Sequence, residues 1–268
     1  MTRPAVSPRH IALILAGGSF LIGATPAALA DVAADPAANT SQAPAIAPAP
    51  GPALAAGAAK LNIAPLRLEL DASKSAATVM LTNISERPVP IQTRLFAWAQ
   101  EAGEDRFTPS RAMTISPSII QIPPGATQIV RLLRSGPASP GEKRFRLAVD
   151  QLPDPAMAQS GQAEARLRFT IPVFFDRDTA APAQLAWRVA ADRIEVVNSG
   201  GSTARILKIE VKSAAGRVVP VGRNSLRYVQ GDSAISWDLP NGCSLGPVTI
   251  AVQVDGKTAD VQASPTCG

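Results

Sequence analysis

Residues 165–175, ARLRFTIPVFF, decide how the rest of the chain is read. Leu167, Phe169 and Ile171 fall on one face of an extended strand, and Arg166, Arg168 and Thr170 fall on the other. Pro172 then interrupts the pattern, because proline has no N–H to give to a sheet ladder. A strand enclosed on both sides rarely combines two arginines on one face with a proline in its second half. An edge strand open to a partner tolerates both.

Working outward, nearly every segment after Lys60 reads as a short strand. Residues 61–70 (LNIAPLRLEL), 77–83 (ATVMLTN) and 89–98 (VPIQTRLFAW) come first, then 112–115, 126–134 (ATQIVRLLR), 143–151 (KRFRLAVDQ) and 163–175. Turn-forming clusters such as DASKS, NISERP, EAGED, IPPGA, SGPASPG and LPDP separate them. About seven strands at this spacing fit an immunoglobulin-like sandwich. A break follows at residues 176–184 (DRDTAAPAQ), and a second set runs through 185–190, 193–197, 204–212, 217–220, 226–230, 234–238 and 247–254. The pattern predicts an all-β protein of two tandem sandwiches, 61–178 and 179–268, without an amphipathic helix.

The segments before Lys60 have a different character. Arg3, Arg9 and His10 precede the apolar run IALILAGGSFLIGA, and Ala28-Leu29-Ala30 supplies a small-residue cleavage site, so residues 1–30 read as an export signal removed near Ala30. Residues 31–60 are dominated by alanine and proline with no periodicity, the composition of a linker. Without Arg3 and Arg9 the formal charge falls from +5 to +3, and the basic residues are scattered along strands. Nucleic acid is therefore not an expected partner. The only histidine is His10, which leaves the expected mature chain without a Ser-His-Asp site. No glycine-rich phosphate loop is present, and the acidic residues show no pairing into one cleft, so neither an enzyme, a nucleotide, a metal nor another cofactor is expected. Cys243 and Cys267 are the only cysteines, and an oxidising compartment favours their pairing.

The strand sequence resembles the periplasmic pilus-assembly chaperones of the chaperone–usher pathway, the PapD-like family. The likeness runs from about Leu61 to Gly268 and is carried by LNIAPLRLEL, the Thr-Asn at 82–83, RLFAW at 94–98, IQIPPGATQIVRL ending at Leu132, FRLAVDQLP at 145–153, IPVFF at 171–175, VVNSG at 196–200 and SWDLP at 236–240. It implies a boomerang of two immunoglobulin-like domains that lends an edge strand to incomplete pilin subunits in the periplasm and passes them to an outer-membrane usher. The row Ala163, Ala165, Leu167, Phe169 and Ile171 would be the donated apolar face. On the residues alone, the same row could equally fill the protein's own core. A free edge of this kind is also a surface for self-association.

The resemblance further implies two basic side chains that hold the subunit's C-terminal carboxylate between the domains. Arg67, in PLRLEL, stands at the first of these positions, and a guanidinium suits the task because it grips a carboxylate bidentately. At the second position the family's lysine is replaced by Pro172. Arg146 and Arg168 are the candidates to restore that charge, with Arg146 favoured; Arg168 lies four residues, or about 13 Å, from Pro172 along an extended strand. This departure, with the wording of RLFAW and IPVFF, is similar to the archaic, spore-coat-like branch. Asp176 and Arg177 stand where a charge network between the domains is expected. The competing reading is a secreted two-domain adhesin or pilus component. Such a component should carry an alternating N-terminal extension, and residues 31–60 do not alternate.

Overall fold

A computed structural model describes residues 60–153, 166–222 and 226–267. The expected export signal, most of the expected linker, and Ala163 and Ala165 of the expected donor row lie outside the described residues. What is described is built from strands, with two short 3-10 turns at Arg177–Thr179 and Gly242–Leu245.

The first sandwich contains β1 (Leu61–Ala64), β2 (Leu68–Leu70), β3 (Ala76–Asn83), β4 (Val89–Glu101), β5 (Glu104–Pro109), β6 (Met113–Ser116), β7 (Ile119–Ile122), β8 (Thr127–Arg134), β9 (Lys143–Gln151) and β10 (Arg168–Phe175). One sheet runs β1-β3-β8-β6 and the other β2-β10-β9-β4-β5, with β7 also pairing β4. Alternate residues of the two sheets meet in a core that includes Val79, Leu81, Ile91, Val130, Leu132, Leu147 and Val173. Each large aliphatic side chain buried there contributes about 1.5–3 kcal/mol.

The stretch LNIAPLRLEL, expected as one strand, is divided between the two sheets. β1 pairs with β3, whereas β2 runs parallel to β10. Pro65 lies between them and has no N–H, so a continuous ladder cannot pass through it. The consequence for β10 matters most. β9 lines one side of it from Arg168 to Phe175, but β2 reaches only Val173, Phe174 and Phe175 on the other. Among the described residues, Arg168–Pro172 therefore has an open edge, and Pro172 marks the limit of the ladder with β2.

The second sandwich contains β11 (Leu185–Val189), β12 (Arg193–Asn198), β13 (Ala204–Ser213), β14 (Val218–Val219), β15 (Arg227–Val229), β16 (Ser233–Asp238), β17 (Val248–Val254) and β18 (Lys257–Ala263). Its sheets are β11-β12-β16 and β14-β13-β17-β18, with β15 also pairing β13. Ile194, Val196, Ile206, Ile209, Ile235 and Ile250 form its core. Cys243 and Cys267 are joined in a disulfide with a Cα–Cα distance of 5.9 Å. It ties the Gly242–Leu245 turn to the segment after β18, where Thr266 N–H bonds the Val189 carbonyl.

Candidate functional site

The outer face of the β2-β10-β9-β4-β5 sheet follows from its registers. Phe96 lies opposite Arg146, Arg146 opposite Pro172, and Arg67 immediately precedes Leu68, the partner of Val173. Phe96, Arg146, Pro172 and Arg67 thus form one row across the sheet. The next row on the same face holds Trp98, Arg144, Phe174 and Glu69, because side chains repeat every second residue. Arg67 and Arg146 therefore flank Pro172, the position at which the resemblance leads to the expectation of a lysine.

Aromatic rings set the stance of both groups. The Arg67 guanidinium lies 4.6 Å from the Phe174 ring centre, and that of Arg146 lies 3.8 Å from Trp98. Tyr228, on β15 of the second sandwich, closes over the same place: its ring meets Trp98 edge-on at 5.3 Å and Phe174 at 6.1 Å. Stacking of this kind holds a guanidinium flat and leaves its edge N–H groups free to face an anion.

The two arginines differ in their partners. Arg67 is paired with Glu69 and stands 3.7 Å from Asp255, in the β17–β18 turn. Arg146 forms no ion pair among the described residues, and its Nε is buried without a hydrogen-bond partner. Burial pulls its proton affinity below the usual guanidinium range, while Tyr228 and Asp105 act in the opposite direction. Even so, a guanidinium stays charged. Beside Arg146 opens a cleft of about 560 Å³ between the sandwiches, whose walls include Gln100, Asp105, Arg227, Tyr228 and Trp237. A half-buried cation with no ion-pair partner among the described residues, at the wall of a cleft, is suited to an anionic ligand.

Arg168 is not brought to this place. It lies opposite Asp150, is bonded to that carboxylate, and shares it with Arg94, whose Nη2 stands 2.7 Å from Asp150 Oδ2. Asp150 is only 7% exposed. Burial would raise its carboxyl, but the bonds from Arg94 and Arg168 outweigh this and hold it below the usual carboxylate range. Of the three arginines expected at the anchor, the structure gathers Arg67 and Arg146 and leaves Arg168 two rows away.

The apolar row of β10 is graded along its length. Leu167, just before the strand, is 36% exposed; Phe169 is half-buried; Ile171 is 2% exposed and belongs to the first sandwich's own core. The exposed end coincides with the stretch that, among the described residues, lacks a partner on the β2 side.

The joint between the sandwiches was only partly foreseen. Arg177 does take part, through an ion pair with Glu142, a carboxylate with no side-chain exposure. Glu142 also binds Arg144 at 2.9 Å and accepts bonds from the Thr203 backbone N–H and hydroxyl of the second sandwich. Asp176 instead pairs with Arg134 at 2.6 Å inside the first sandwich. Gln100 adds a reciprocal tie, donating to the Tyr228 carbonyl and accepting from the Gln230 N–H. Glu142 sits in a Pro-Gly-Glu turn and Tyr228 is the only tyrosine, so neither carries a local pattern that points to a partner across the joint. Among the described residues, no group of three or more His, Cys, Asp or Glu side chains is placed to hold a metal ion.

Residues 60–180 match the family described as pili and flagellar-assembly chaperone, PapD N-terminal domain. No curated protein matches the chain. Among solved structures, a chain of the CsuC–CsuE chaperone–tip adhesion subunit pre-assembly complex of archaic Csu pili from Acinetobacter baumannii is similar at 18% identity and a TM-score of 0.59, over 77% of this chain and 99% of that one. The E. coli chaperone DraB is similar at 18% identity and a TM-score of 0.55, over 77% and 99%. A chain of the Salmonella enterica SafA pilin–SafB chaperone complex is similar at 15% identity and a TM-score of 0.54, over 76% and 96%. At such identities the likeness establishes the arrangement of two sandwiches.

Proposed function

We propose that the chain, whose residues 60–180 match the PapD N-terminal domain of pili and flagellar-assembly chaperones, captures pilin-class subunits in the periplasm by lending them the open stretch of β10. The observation that carries this reading is the coincidence of two features on one strand. Among the described residues, Arg168–Pro172 lacks a partner on its β2 side, and at the end of that stretch Arg67 and Arg146 flank Pro172. A subunit strand added along the free edge would satisfy the β10 backbone, with Leu167 and Phe169 offered to the subunit's incomplete core. Its terminal carboxylate would then end between the two guanidinium groups.

On this reading the protein is a binding protein rather than a catalyst, needs no nucleotide, and hands its subunit to an outer-membrane usher. Residues 1–30 act as the export signal and 31–60 as a linker, ahead of chaperone domains at 61–178 and 179–268. Arg146 takes the place of the lysine missing at Pro172, which aligns the chain with the archaic branch. The same free edge gives the unliganded chaperone a surface for self-association. The Cys243–Cys267 disulfide stabilises the second sandwich.

Periplasmic co-expression with a pilin-class subunit, followed by purification through a tag on the chaperone, tests the proposal. A one-to-one complex is expected from the unaltered chain and is lost with both Arg67→Ala and Leu167→Asp. Capture that survives Leu167→Asp would remove β10 as the donor and favour the adhesin-like reading.

A further inference from the structure

The two guanidinium groups beside Pro172 do not complete the site. A carboxylate offers about four lone-pair positions, and Pro172 contributes no donor between the two arginines. Arg67 is moreover shared with Glu69 and Asp255. A neutral donor would complete the set without adding further charge to a half-buried cleft. Tyr228 stands in the right place: its ring centre is 5.9 Å from the Arg67 guanidinium carbon and 5.2 Å from that of Arg146. It is 8% exposed and lines the cleft beside Arg146.

We propose that the Tyr228 hydroxyl is a third ligand of the subunit's C-terminal carboxylate, so that the anchor is built by both sandwiches. This rests on the chaperone reading given above. Two further features support it. The ring is wedged against Trp98 and Phe174, so its direction is set by packing. The backbone of β15 is pinned by Gln100, through the Tyr228 carbonyl and the neighbouring Gln230 N–H. A tyrosine held this firmly loses little conformational freedom when its hydroxyl meets an oxyanion. The consequence is that carboxylate capture bears on the second sandwich as well as on β10.

The test is a thermodynamic cycle on the full chain. Binding of a short peptide with the sequence of a pilin-class C-terminus is measured by calorimetry, once with a free carboxylate and once with an amide end. Unaltered protein is compared with Tyr228→Phe, which keeps the ring that packs on Trp98 and Phe174, and an unchanged Tm verifies that packing. Tyr228→Phe is expected to weaken the free-acid peptide about tenfold, as for one hydrogen bond to a charged acceptor. It is expected to change the amide peptide by less than about twofold. Equal losses for both peptides, or no loss for the acid, overturn the assignment while leaving Arg67 and Arg146 in place. Failure of amidation to weaken binding to the unaltered protein overturns the carboxylate anchor itself, and this proposal with it.

Discussion

Arg146 and Arg168 illustrate how the partners of a side chain decide its role. Both were candidates for the charge missing at Pro172. Only the three-dimensional pairing separates them: Arg146 stacks on Trp98 without a carboxylate among the described residues, whereas Arg168 is held by Asp150. Arg146→Ala is therefore expected to weaken subunit-peptide binding at least about tenfold, the scale of a charge-assisted bond in a half-buried site. Arg168→Ala should stay within about twofold, since exposed ion pairs contribute little; titration calorimetry distinguishes the two. Asp150 carries a second consequence. Its carboxyl lies below the usual range in the folded protein, so its contribution to stability is present above the unfolded value of about 3.9 and is lost as pH falls through the folded value. Asp150→Asn should flatten the acid limb of a Tm-against-pH curve below about pH 4 and change the curve's shape little near neutrality. An unchanged acid limb would mean the two arginines do not stabilise the ionised form. Charge sequence alone predicted neither pairing, because Asp150 is eighteen residues from Arg168 and meets it only through the β9–β10 register.

β10 serves two masters along its length, and substitutions should separate them. Ile171 is part of the first sandwich's core, so Ile171→Ala is expected to lower stability by about 2–4 kcal/mol in urea unfolding. Leu167 is exposed, so Leu167→Asp should leave stability within about 0.5 kcal/mol while abolishing subunit capture. A large loss of stability from Leu167→Asp would place that end of the row in the protein's own core as well. This division was half legible in the sequence. Alternation marked the strand and Pro172 marked an edge, but burial along the strand depends on how far β2 extends, and β2 was hidden inside LNIAPLRLEL. Of the strands overlooked altogether, β7 is apolar but only four residues long, and β5 and β18 offer little buried face. β5 is exposed throughout and β18 nearly so, and each pairs with only one neighbour. Hydrophobic periodicity reports burial, so a strand held by backbone pairing at a sheet margin leaves little trace of it.

At the scale of the whole molecule, the sandwiches are joined by polar contacts around a small aromatic centre, and Glu142 is a buried carboxylate at which several of them meet. Its carboxylate meets Arg144 and Arg177 from its own sandwich and Thr203 from the other. Replacing Glu142 by alanine would leave two guanidinium groups without their shared carboxylate and the Thr203 N–H without an acceptor. The loss is expected to be about 3 kcal/mol, the scale of breaking one side of a buried ion pair. The loss should fall unevenly. The two hydrophobic cores are separate clusters and do not include Glu142, so each sandwich retains its own packing. The joint is left to the Arg144 bonds to Thr203 and Gly201, the Arg227 bond to the Gly103 carbonyl, the ties of Gln100 and Gln230, the Arg67–Asp255 pair and the Trp98–Phe174–Tyr228 contacts. Interfaces between domains that rely on few contacts permit relative motion. Glu142→Ala is thus expected to broaden the interparticle distance distribution in small-angle scattering and to divide one calorimetric transition into two. Because Arg67 and Arg146 stand on the first sandwich and Tyr228 on the second, a loosened joint should also weaken subunit-peptide binding without touching any proposed ligand of the carboxylate. A single transition at an unchanged Tm, with peptide affinity intact, would show that Glu142 does not couple the two halves and that the remaining contacts suffice.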